Sequence, residues 1–119
     1  MAHDFEQWLP IRDLALSHLA RHGDFPAVYS MRDATTSAIL KYGCTRCLRA
    51  RIFGNYLGGI GGTTTQRIHR ELFESGMIDR IELGWIETAS DTEAKRMESE
   101  FRKEYKKTHG RRPAWDLLD

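Results

Sequence analysis

The chain has 119 residues, 40% of them apolar and 29% charged, and a formal net charge of +1 at pH 7. That describes one domain able to bury a core without disulfides. Its two cysteines, Cys44 and Cys47, are too few for a disulfide framework. No apolar run approaches the length of a membrane-spanning helix, and the acidic, proline-interrupted start does not resemble a secretory signal, so a cytoplasmic protein with no membrane partner is expected.

In chain order, the spacing first predicts an amphipathic helix from Pro10 to His22, with Ile11, Leu14, Ala15, His18, Leu19 and His22 on one face and Gly23 as its stop. Ala27 to Met31 reads as a short strand. Asp33 is a candidate cap for a short helix through Ala38, Ile39 and Leu40, ended by Gly43. Leu48 to Phe53 alternates as a half-exposed strand, and Gly54-Asn55 turns the chain into Tyr56-Leu57-Gly58. Thr63 with Gln66 fits a capping box for a helix carrying Arg67 and ended by Gly76. Ile78 to Thr88 predicts another strand, with Ile81, Leu83 and Trp85 on one side. Ser90 with Glu93 opens a long last helix, and an irregular tail from Gly110 folds Trp115 back onto the core.

These elements define an α+β fold: a small antiparallel sheet of about three strands flanked by helices. The whole chain forms a single domain, with residues 1–24 as an N-terminal helical extension.

On the last helix Ala94, Met97, Phe101 and Tyr105 recur at three- and four-residue steps, and Glu98 falls inside that apolar stripe. A carboxylate turned toward a core needs a cation, a donor or a metal ion opposite it.

The basic residues are also unevenly placed. Lys41, Arg46, Arg49 and Arg51 lie in a stretch without an acid, and the last helix adds Arg102 and Lys106 among other bases, which is the pattern of a surface for a phosphate backbone. A solvated helix face is the plainer alternative. The glycine-rich stretch Gly58 to Gly62 lacks the Lys-Ser/Thr ending of a P-loop and the spacing of a dinucleotide site, so no nucleotide cofactor is expected. Cys44 and Cys47, two residues apart, have the spacing of a zinc knuckle that His18 and His22 would complete as a structural Zn²⁺ site; buried core histidines are the simpler reading.

Taken together, Ala27-Val28-Tyr29, Tyr56-Leu57-Gly58, Arg67 eleven residues after Tyr56, Glu98 four after Ala94, and Pro113-Ala114-Trp115-Asp116 resemble the ordered motifs of the GIY-YIG nuclease family. The resemblance covers residues 25–116, with 32–53 as an insertion between the two tyrosine motifs, which normally stand about ten residues apart. Gly59 stands where a lysine often follows the second motif, and Asp116 replaces the usual asparagine.

The resemblance implies a metal-dependent endonuclease that hydrolyses phosphodiester bonds in nucleic acid, DNA ahead of RNA, as a monomer or weak dimer. Glu98 would bind one Mg²⁺ (or Mn²⁺), Arg67 would stabilise the phosphate, and Tyr29 and Tyr56 would orient or deprotonate the attacking water. His69, Arg70 and Asp116 are auxiliary candidates. The alternative is a catalytically inactive nucleic-acid-binding module on the same scaffold, zinc-stabilised if the cysteines and histidines meet.

Overall fold

The computed structural model describes residues 5 and 7–117. Among them, four antiparallel strands form one sheet: β1 (Trp8–Pro10), β2 (Ala27–Asp33), β3 (Ile39–Thr45) and β4 (Ile81–Glu87), ordered β1-β4-β2-β3. The helices are α1 (Leu19–His22), a π-helix (Ala50–Leu57), α2 (Thr63–Phe73) and α3 (Asp91–His109). The α+β class and the antiparallel sheet stand as expected, but β1 and β3 are strands the sequence reading does not anticipate, and the expected strand over Leu48–Phe53 is absent.

β1 comes from the first segment. In place of one helix over Pro10–His22, Trp8–Pro10 pairs with β4, Ile11–Leu16 is a 3₁₀ turn, and α1 is a single turn. Ser17 causes the break. Its backbone is extended, its hydroxyl donates to the Leu14 carbonyl at 2.6 Å, and the Leu19 amide donates back to that hydroxyl at 3.3 Å. Such local side-chain bonds compete with helix continuation. Ile11, Leu14 and Leu19 are buried as their spacing requires, but His18 and His22 are exposed.

The short helix expected after Asp33 is also absent, for a related reason. The Asp33 carboxylate accepts from the Thr35 amide at 2.9 Å, and Ser37 adopts a left-handed conformation (φ 62°), so the chain turns back at once. β3 then runs antiparallel to β2, with Tyr29 opposite Gly43 and Val28 opposite Cys44. Much of what read as an insertion is therefore the second arm of a hairpin.

Leu48–Phe53, expected as a strand, leads into the π-helix instead. Leu48, Ile52 and Tyr56 are buried at four-residue steps, and this helical period outweighs the shorter alternation that suggested a strand. At the start of α2 the capping position belongs to Gly62, with the Gln66 amide donating to its carbonyl at 3.0 Å and the Gln66 side chain turned back to the Gly59 carbonyl; Thr63 is the first helical residue and makes no capping box.

The expected cap at Ser90 is present. Its hydroxyl accepts from the Glu93 amide at 3.1 Å, acids occupy the first turn of α3 and bases the last, and Gly110 closes the helix at φ 75°.

The sheet divides the core in two. One face carries Ala27, Tyr29, Met31, Ile81 and Leu83 against Leu48, Ile52, Tyr56, Ile68 and Leu72, and buried Trp115 joins this cluster. The other carries Val28 and Tyr42 against Met97 and Phe101 of α3 and Phe5. The tail is less irregular than expected, with Ala114–Leu117 forming a 3₁₀ turn. No helix among the described residues is long and apolar enough to cross a membrane.

Candidate active site

β3 is an edge strand, and beside it opens a cavity of about 310 Å³ whose walls come from β2, β3, the π-helix, α2, α3 and the tail. Tyr29, Tyr56 and Glu98 all line it. So do four cations, Lys41, Arg51, Arg102 and Arg112, against two carboxylates, Glu98 and Asp116. An excess of positive charge in a concavity favours an anionic occupant.

Each phenol arrives by a different route. Strand alternation turns Tyr29 away from α3, and its ring crosses over Gly43 on the neighbouring strand. A Cβ at Gly43 would fall 2.3 Å from the Tyr29 ring and 2.4 Å from its hydroxyl, so only glycine lets the phenol reach the edge. Tyr56 comes from the π-helix. Helical residues whose backbones bond at a five-residue step align along one side, and that step separates Arg51 from Tyr56, so both project into the cavity.

The two hydroxyls hydrogen-bond at 2.6 Å in a buried contact. His69 holds the C-terminal end of the π-helix by donating from Nδ1 to the Tyr56 carbonyl at 2.8 Å, and its ring lies 3.0 Å from where a Cβ on Gly59 (φ 73°) would stand. Burial, then the neighbouring Tyr56 hydroxyl, push the Tyr29 pKa well above the usual phenol value, with Arg51 opposing and Glu98 reinforcing the rise.

Glu98 sits at the margin of the α3 stripe rather than at its centre, half-buried while Ala94, Met97 and Phe101 are buried. Arg102, one turn on, fixes it. The Arg102 guanidinium donates to Glu98 at 3.1 Å, to Asp116 at 3.2 Å and to the Tyr42 carbonyl at 3.0 Å. Asp116, almost completely buried, also receives Lys41 at 3.3 Å, so the Pro113–Asp116 tail is pinned to both β3 and α3. The Cys44 thiol hydrogen-bonds Glu98; burial first, then this carboxylate, raise its pKa to about 11.

Arg51 has a different status. Its buried Nε has no hydrogen-bond partner among the described residues. A desolvated guanidinium nitrogen left unmatched is costly, and a bound anion is the usual remedy.

The other sequence candidates separate. Arg67 is exposed on α2 and does not line the cavity, and neither do His69 and Arg70. Arg49 is paired with Asp24 at 3.0 Å, and Arg46 and Lys106 are exposed. The proposed zinc ligands are not gathered. Cys47 donates to Asp24 at 3.2 Å, Cys44 turns to Glu98, and the His18 ring packs 6.3 Å from Trp85. No group of three or more His, Cys, Asp or Glu side chains suited to a metal occurs among the described residues.

Sequence reasoning assigned Lys41, Arg51 and Arg102 only to backbone binding, and missed Cys44 and Arg112 as cavity residues. Two signals were there to be used: Tyr42-Gly43 follows Tyr29 at hairpin distance, and Leu48, Ile52 and Tyr56 keep a helical step. No protein-family model matches the chain, and no curated protein matches it.

Proposed function

We propose that this cavity is the active site of a metal-dependent endonuclease of the GIY-YIG type, acting on phosphodiester bonds in nucleic acid, DNA in the first instance. The observation that carries the reading is the convergence of two bonded phenols, an arginine whose buried Nε has no hydrogen-bond partner among the described residues, and a fixed carboxylate around one cation-rich cavity. In this reading the motif order shifts. Ala27-Val28-Tyr29 and Lys41-Tyr42-Gly43 are the two hairpin arms, Tyr42 following Tyr29 by thirteen residues, near the spacing that the family resemblance implies. Tyr56 supplies the second phenol, and Arg51, not Arg67, supplies the guanidinium.

Glu98 fits a divalent ion by the chemistry of its donors. It is a hard oxygen ligand beside a concavity, and Mg²⁺ is commonly held by one or two carboxylates with water and substrate phosphate completing its shell. Such an ion, when bound, supplies Lewis-acid polarisation of the phosphate and a more acidic water. Arg102 and Asp116 keep the Glu98 carboxylate in place before substrate arrives. Arg51 meets the phosphate oxygens with a planar, multi-donor guanidinium fork. Tyr29, its pKa raised, stays protonated near neutrality and orients the attacking water by hydrogen bonding through the Tyr29–Tyr56 pair, without acting as the base.

Incubation of a plasmid or labelled duplex with the protein in Mg²⁺ and in EDTA tests the reading. Cutting that depends on the ion and disappears in Glu98→Ala while binding persists is the expected result. Binding with no cutting under any condition would reduce the protein to a nucleic-acid-binding module.

A further inference from the structure

A second cavity, of about 490 Å³, adjoins the first along the same edge, and the two share Cys44 and Arg51 in their walls. Arg46 and Lys95 line its far side, so three cations face one carboxylate, Asp91. Arg46 is exposed in the turn after β3 and makes no ion pair among the described residues. Lys95 meets Asp91 at 3.3 Å across one helical turn, with its side chain 68% exposed. A solvated pair of that kind contributes little and opens readily to a competing anion. Arg51 joins the two cavities: it lines both, and its buried Nε lacks a hydrogen-bond partner among the described residues.

A nucleic-acid strand presents a charge about every 3.4 Å of its rise. A site for a single phosphate does not need a second basic cavity sharing an arginine with the first. A strand passing along an open sheet edge does.

We infer that the cavity lined by Arg46, Lys95 and Arg51 is a subsite for the phosphate next to the one cleaved, on the same strand. The inference rests on the nuclease reading for what happens in the first cavity, and adds that the substrate is a polymer held at two successive phosphates. Arg49, Lys106 and the exposed α2 arginines are then outside the strand's path, although the sequence makes several of them equal candidates.

The test measures binding of a short labelled thymidine oligonucleotide from about 50 to 200 mM salt, the range over which phosphate contacts are resolved. It uses the full chain, the variants Arg46→Ala and Lys95→Ala, and Arg21→Ala as an exposed control away from both cavities. Each subsite variant should lower the slope of log affinity against log salt by about 0.7 to 1, with no change for the control. Cleavage supplies the second readout. In the subsite variants kcat/KM should fall about tenfold further on the oligonucleotide than on bis(p-nitrophenyl) phosphate, which has no neighbouring phosphate.

Slopes and ratios indistinguishable from the control would overturn the subsite, while Glu98-dependent cutting in the same samples would leave the nuclease reading intact. Lowered slopes without cutting in the unsubstituted protein would keep the subsite and remove the hydrolysis.

Discussion

Tyr29 and Tyr42 stand on adjacent strands of one hairpin, yet they finish on opposite faces of the sheet among different neighbours. Tyr42 stacks on Phe101 at 5.3 Å and on Phe5 at 6.1 Å, in a cluster held by shape and apolar area. Tyr29 crosses Gly43 to meet another hydroxyl beside a charged cavity. The same side chain thus serves packing on one face and polar chemistry on the other, and strand alternation together with one missing Cβ decides which.

Helix α3 carries the same contrast around its own axis. Met97 and Phe101 face the aromatic cluster, while Glu98 and Arg102, one step round, face the cavity. The packed face locates the helix, and the polar face exploits that location.

Substitutions can separate these two roles. Glu98→Gln should lower ion-dependent cleavage about 10²–10³-fold, the scale of losing one preorganised charge-stabilising group, with little change in melting temperature; a steady-state assay beside a thermal melt checks both halves. Phe101→Ala should do the reverse. It removes a buried aromatic side chain and should cost about 3–5 kcal/mol of stability in urea unfolding, with any loss of activity tracking the unfolded fraction.

A smaller effect is expected where the faces meet. Arg102→Ala releases Glu98 and leaves Asp116 with Lys41 as its cationic partner among the described residues, and cleavage should fall about 10–100-fold with a raised requirement for the divalent ion. A titration of rate against Mg²⁺ would detect that shift. Unchanged ion dependence would show that Arg102 does not position the carboxylate.

The smallest predicted change lies at Cys44. With its pKa raised to about 11, the thiol is protonated at pH 8, and alkylation should remain slow until the pH approaches that value. Glu98→Gln removes the opposing carboxylate and should speed modification at pH 8 by a few-fold, since burial, the larger cause, remains. Mass spectrometry of the alkylated peptide gives the rate. Identical rates in the two proteins would mean that Glu98 does not face Cys44.

How legible these features are in the sequence depends on the range of the interaction that decides them. The Ser90 cap, the onset of the tail at Gly110 and the Ile81, Leu83, Trp85 face of β4 follow from local spacing, and the structure bears them out. The first helix fails at Ser17, where a side-chain hydroxyl competes with the backbone, and the Asp33 helix fails because an acid fitted for a cap also fits a tight turn.

The cavity shows the same pattern. Tyr29, Tyr56 and Glu98 are brought together as their order suggests, whereas Arg67 does not line the cavity and Arg51 does. Arg67 stands near a helix start that the sequence makes visible, but a π-helix, whose alternation resembles a strand, turns Arg51 inward. Its backbone hydrogen bonds run from each residue to the fifth beyond it, so Arg51 and Tyr56 share a side, a pairing that neither the strand nor the α-helix template predicts.

The choice of arginine offers the most direct test of the central claim. Cleavage of a labelled DNA in Mg²⁺ should fall about 10²–10³-fold in Arg51→Ala and remain within a few-fold of the parent in Arg67→Ala, with both variants folded by circular dichroism. Loss of cutting in Arg67→Ala with full activity in Arg51→Ala, or no ion-dependent cutting by the parent protein, would contradict the site described here.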